Sequence, residues 1–156
     1  MSNFLTLLFY CTIMAQRQRQ IATDEKKGKD RFETFKSVIA RYNDAMTAGF
    51  YLEAITLMES IIGDRLECYL HKNIKSVDYS FSTLGRLIEG LKKVNSKSPL
   101  VNKITDWKNQ RNALLHEMAK IEDNNYSDFT SKYSVAKQCA EDGLVLFREI
   151  DKLCMK

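Results

Sequence analysis

Apolar residues recur at three- and four-residue steps along most of the chain. Phe32, Phe35, Val38, Ile39, Tyr42 and Met46 lay out one amphipathic helix over about 31–47. Ala48-Gly49 breaks it. A longer helix is expected to follow to about His71, with Leu52, Ile55, Ile62, Leu66 and Tyr69 on one seam. Asp78 and Ser80 offer N-caps for a third helix carrying Leu84, Leu87, Ile88 and Leu91. Ser98-Pro99 couples a capping residue to proline at the first helical position, so a fourth helix starts there and is expected to reach about Ile121. Asn124-Asn125 marks a turn. A last helix is expected over about Ser127 to Leu153, carrying Phe129, Tyr133, Ala136, Ala140, Leu144, Phe147 and Ile150. No stretch alternates with period two for long enough to be a strand. Five helices joined by short loops predict an all-α protein, an antiparallel bundle of four to five helices.

The length of 156 residues, 44% of them hydrophobic, suits one domain with a real core. Only 6 Gly and 1 Pro exclude collagen, a Pro-rich linker and a turn-dense β-sandwich. Residues 1–30 read as an apolar and basic lead-in, and residues 31–156 as the helical domain. The apolar run from Phe4 to Met14 is too short for a bilayer, which takes about 20 residues. No basic residue precedes it and no small-x-small site follows, so a secretory signal is not expected. An interfacial anchor and an upstream extension remain as readings. The second is preferred, with the chain starting at Met14, because Met14-Ala15-Gln16 opens the polar segment that leads into the first helix. The four cysteines (Cys11, Cys68, Cys139, Cys154) lie far apart and form no CxxC, which favours reduced thiols in a cytoplasmic protein.

The formal charge of +4 permits a polyanionic partner without announcing one. Residues 15–41 carry eight basic side chains against four acidic ones, which is the whole surplus; the remainder sums to zero. Such a stretch suits nucleic acid or an anionic membrane surface, and equally a solvated lead-in.

Two charged residues occupy slots where the pattern asks for apolar ones. The fourth helix has the seam Ile104, Trp107, Arg111, Leu114, Met118, Ile121, with Arg111 in its middle. The second has Leu52, Ile55, Glu59, Ile62, Leu66, Tyr69, with Glu59 in the equivalent place. Desolvating a lone charge costs several kcal/mol, so a Glu59–Arg111 pair across the bundle is expected. It would fix helix register, or else aim an arginine that binds phosphate.

His116 follows in Arg111-Asn112-Ala113-Leu114-Leu115-His116. This RNALLH segment resembles the Arg-x4–6-His motif of HEPN (higher eukaryotes and prokaryotes nucleotide-binding) domains. The resemblance covers roughly residues 31–154 in helix number and order, and the motif falls on the helix before the long last one. Arg65 to His71 also fits the loose pattern, but Leu66 follows the arginine and the helix is ending, so Arg111–His116 is preferred. The resemblance implies an all-α bundle and, for many members, RNA cleavage without metal, the ribose 2′-OH attacking the adjacent phosphate. The residue types suit that step. Imidazole can carry protons near neutrality, and guanidinium offers a fixed fork of donors to phosphate oxygens. Asn112 would bind a phosphate oxygen or orient His116, four residues on along one helical stripe. Arg111 and His116 are about 140° apart around a straight helix, so one copy cannot aim both at a single phosphate. Two copies across a two-fold axis could, and a homodimer is expected on that geometry and on the resemblance.

Other chemistry is poorly represented. Cys68 and His71 lack third and fourth ligands at suitable spacing, so no metal or other cofactor is expected. No GxGxxG, GxxxxGK, GxSxG or HExxH segment occurs. Trp107 and Tyr69 read as core or interface aromatics, and His71 as a solvated residue at a helix end. The leading expectation is a metal-independent endoribonuclease, a toxin or phage-defence (abortive infection) effector acting on RNA. The alternatives are a HEPN module that binds RNA, nucleotide or a partner such as a nucleotidyltransferase antitoxin without cleaving, and a structural helical adaptor.

Overall fold

The computed structural model describes residues 25–117 and 129–155. Five helices make up this part of the chain: α1 (Glu25–Ala48), α2 (Tyr51–Asn73), α3 (Leu84–Val94), α4 (Pro99–Glu117) and α5 (Phe129–Cys154). No strand occurs among the described residues. The protein is an all-α helical bundle.

Helix α2 is its axis, packing on α1, α3 and α5 and touching α4. That position follows from its sequence. Ile55, Met58, Ile62, Leu66 and Leu70 recur at helical spacing and are all fully buried. They meet Leu87 and Leu91 of α3, Ile104 of α4 and Ile150 of α5 in one continuous core. Each such side chain contributes about 1.5–3 kcal/mol relative to exposure, which is why the seam decides where the helix lies.

The ion pairs and hydrogen bonds fix the directions. Arg41 pairs with Glu53 at 2.8 Å and Arg31 with Asp64 at 3.1 Å, so α1 and α2 run antiparallel. Lys103 pairs with Glu149 at 2.8 Å, while Trp107 Nε1 donates to the Cys139 carbonyl at 2.8 Å, so α4 and α5 are antiparallel as well. Helices α2 and α5 are parallel. The Tyr133 hydroxyl donates to the Gly49 carbonyl at one end, and Arg65 pairs with Asp151 at 2.8 Å at the other.

Gly49 ends α1 as the pattern requires. Its φ of 80° is left-handed, Phe50 N donates to Ala45 O at 2.8 Å and Gly49 N to Met46 O at 3.3 Å, which satisfies the last carbonyls of the helix. Gly143 has a different role. A Cβ there would lie 3.0 Å from Trp107 Cζ2 and 3.1 Å from Met58 Cβ, so glycine lets α5 close on both α2 and α4.

Several expectations shift. Helix α1 begins at Glu25 rather than near residue 31; its first turns are polar and carry no apolar period that would announce them. The cap of α3 is Thr83, not Asp78 or Ser80; its side chain accepts from Arg86 N at 3.4 Å. Asp78 instead accepts from Ser80 N at 2.8 Å, and Phe81 at φ 55° interrupts any helical backbone before Thr83. Phe32 and Phe129, assigned to inward seams, are 65% and 61% exposed. The apolar run Phe4 to Met14, Cys11, Met118, Ile121, Asn124-Asn125 and Ser127 lie outside the described residues. No helix of the described residues is long and apolar enough to cross a membrane.

Candidate functional site on helix α4

Proline at its first position and Ser98 before it start α4; Leu100 N donates to the Ser98 hydroxyl oxygen at 3.3 Å. Val101, Ile104, Trp107 and Leu114 then bury one face of the helix. This anchoring turns Arg111 toward α2, where Nη2 pairs with Glu59 Oε1. The side chains are 12% and 29% exposed, so the pair sits at the edge of the core rather than in water. The expected Glu59–Arg111 contact is therefore present, joining α4 to the central helix.

The second arm of the guanidinium does something else. Arg111 Nη1 donates to Asn112 Oδ1 at 2.7 Å. Only the amide oxygen can accept from a guanidinium, so the two Asn112 Nδ2 hydrogens are directed away from Arg111. Glu59, Arg111 and Asn112 thus form a chain in which each member orients the next. Burial lowers the Arg111 pKa from its ordinary value, and the guanidinium still carries its charge at neutral pH.

His116 lies in the last turn of α4 and is exposed. Asn112 and His116 are one helical turn apart and share a stripe, while Arg111 faces inward. The structure consequently brings Glu59, Arg111 and Asn112 into contact and leaves His116 on the open side of the same helix. Within one chain the guanidinium and the imidazole do not face one point, as the angular separation requires.

The competing Arg65–His71 match is occupied elsewhere. Arg65 is held by Asp151 and lies over the Phe35 ring at 5.7 Å. His71 Nε2 lies 3.6 Å from Asp78 Oδ1. Hydrogen bonds from the Ser80 backbone and side chain hold the Asp78 carboxyl below the usual carboxylate range, with smaller help from His71 and Arg86. Cys68 accepts a hydrogen bond from Arg31 at 3.6 Å instead of joining His71 in a ligand set. Among the described residues no group of three or more His, Cys, Asp or Glu is arranged to hold a metal ion. Trp107 is a core residue, 4% exposed. Cys68, Cys139 and Cys154 are free thiols, all buried.

Two of the hollows among the described residues lie against α4 and α2. One of about 480 Å³ between α4 and α5 is lined by Lys103, Asp106, Trp107, Gln110, Asp142 and Val145, among others, and includes none of Arg111, Asn112 and His116. The other, of about 280 Å³, runs between α2 and the start of α3 and takes in Glu59 with Thr56, Ser60, Ser82 and Thr83.

Part of the basic surplus of residues 15–41 is neutralised within the fold. Two of the basic residues credited to the N-terminal stretch, Arg31 and Arg41, are paired with carboxylates of α2. Residues 92–108, by contrast, carry five lysines against Asp106 alone. Summing the rest of the chain to zero concealed this surplus, though a local count would have found it. Compared with known proteins, the chain matches no family model, no curated protein and no solved structure.

Proposed function

We propose that this protein is a metal-independent endoribonuclease whose working surface is the stripe of α4 that carries half-buried Asn112 and exposed His116. The observation that carries the reading is the Glu59–Arg111–Asn112 chain, which spends two polar contacts on fixing an asparagine amide next to an exposed histidine. Cleavage by the ribose 2′-OH needs a proton acceptor, a proton donor for the leaving 5′-oxygen and donors on the phosphorane oxygens. His116 is the proton carrier. Asn112 donates to a phosphate oxygen. Arg111 supplies positive potential and holds Asn112. One imidazole cannot stand on both sides of the phosphate at once, so two copies related by a two-fold axis would line a shared cleft with a pair of these stripes. In this reading the protein acts on RNA as a homodimer, in the manner of a toxin or phage-defence effector restrained by a partner antitoxin.

The test is incubation with total RNA in EDTA. Wild-type protein should cleave and leave 2′,3′-cyclic phosphate ends, and folded Arg111→Ala and His116→Ala variants should not. An inert wild type would overturn the reading. Light scattering should show a dimer; a strict monomer would remove the shared cleft. A non-cleaving RNA-binding module is the second reading, favoured by one feature: the Arg111 charge is already engaged by Glu59. It predicts binding without fragments.

A further inference from the structure

Helix α3 packs against α4, and Lys92, Lys93 and Lys108 all act on Glu89 of α3. Glu89 on α3 is paired with Lys92 at 2.7 Å and also feels Lys93 and Lys108, which together hold its carboxyl below the usual range. One carboxylate therefore stands among three ammonium groups. Lys93, Lys97 and Lys108 make no ion pair among the described residues, whereas Lys103 is bound to both oxygens of Glu149 at 2.8 and 2.9 Å. Asp106, the acid of this segment, lines the hollow on the α5 side together with Trp107.

Lys108 has a further property. Lys108, Asn112 and His116 follow at four-residue steps, so they wind slowly along one face of α4 over about 12 Å. Arg111, the arginine of this helix, is turned away toward Glu59. The cation without an ion pair on the stripe that carries Asn112 and His116 is thus Lys108, and Lys93 of α3 acts with it on Glu89. Cations near a polar pair suit the phosphates of a single-stranded nucleic-acid backbone.

We propose that Lys108 and Lys93 hold the phosphates of the RNA strand flanking the one presented to Asn112 and His116, so that the strand runs along α4 from the α3 junction toward its C-terminal end. This deepens the endoribonuclease reading and rests on it. Each lysine is a binding residue that contacts the backbone without reading its sequence.

The test is fluorescence anisotropy of the full chain with a 2′-O-methyl oligoribonucleotide, which cannot be cleaved by 2′-OH attack, over a series of salt concentrations. Losing one phosphate contact should weaken binding about fourfold at 0.15 M salt and reduce the slope of log K against log salt by about 0.7. Lys108→Gln and Lys93→Gln should each do so, and the double variant should lose about twice that slope. Lys103→Gln, whose charge is spent on Glu149, should leave the slope unchanged. Unaltered slopes in the first two variants, or an equal change in Lys103→Gln, would overturn the proposal. So would lysine-dependent capture on vesicles rich in anionic lipid with no binding to the oligonucleotide, which would mark a membrane surface instead. The outcomes separate from those of the nuclease test. Lysine-dependent binding without cleavage of natural RNA sinks the nuclease and keeps the strand path; cleavage with lysine-independent binding does the reverse.

Discussion

Replacing Glu59 by glutamine keeps the size and one acceptor oxygen but removes the charge facing Arg111. Exposed ion pairs contribute about 0–1 kcal/mol, while removing one partner of a fully buried pair costs about 3–5 kcal/mol. Side-chain exposures of 12% for Arg111 and 29% for Glu59 place this pair between those limits, nearer the lower because glutamine still accepts a hydrogen bond. The expected loss is about 2 kcal/mol, or a fall of about 4–8 °C in Tm for a chain of this size. Urea unfolding of wild type, Glu59→Gln, Arg111→Met and the double variant would measure the pairwise part. It should be non-additive by about 1–2 kcal/mol and persist at 0.5 M salt, since the pair is mostly shielded from solvent. Changes that add to within about 0.3 kcal/mol would show that the two side chains do not stabilise each other, and would remove the support for Asn112 with them.

Further outcomes concern the packing around that pair. Gly143→Ala should cost about 1–3 kcal/mol in urea midpoint at unchanged m-value, because the added methyl meets Trp107 and Met58 at 3.0–3.1 Å. Tyr133→Phe removes the hydroxyl bond to the Gly49 carbonyl and should cost about 1 kcal/mol by the same assay. Burial pushes the Cys139 thiol up to about 12 and the Cys154 thiol up to about 11, from 9.0. Above pH 9 the unfolded thiols lose protons that the folded ones retain, so their stabilisation is complete below pH 9 and declines toward the folded values. The decline should be about 1.4 kcal/mol per pH unit for each thiol, and Cys139→Ala should remove one share. Equal urea midpoints at pH 8 and pH 10 would contradict it.

The helices were legible because their buried seams follow a strict helical period, from Ile55 to Leu66 in α2 and from Ile104 to Leu114 in α4. The Glu59–Arg111 contact was legible for the complementary reason: two charges in apolar slots have few places to go except to each other. What escaped the pattern has no apolar period. The first turns of α1 are polar, so no apolar face marks their helix. The start of α3 depends on local backbone conformation at Phe81, which moves the cap to Thr83. Phe32 and Phe129 fit their seams in spacing, yet each lies where no neighbouring helix covers it. The bond from Arg111 to Asn112 joins adjacent residues, and periodicity says nothing about contacts one residue apart.

Single-turnover cleavage of a 5′-labelled RNA in EDTA, with wild type and a folded His116→Ala variant, puts the histidine stripe to its most direct trial. Wild type should release fragments ending in 2′,3′-cyclic phosphate, and the variant should be at least about 100-fold slower. Intact RNA with wild type, or cleavage by His116→Ala at the wild-type rate, would contradict the assignment of this surface.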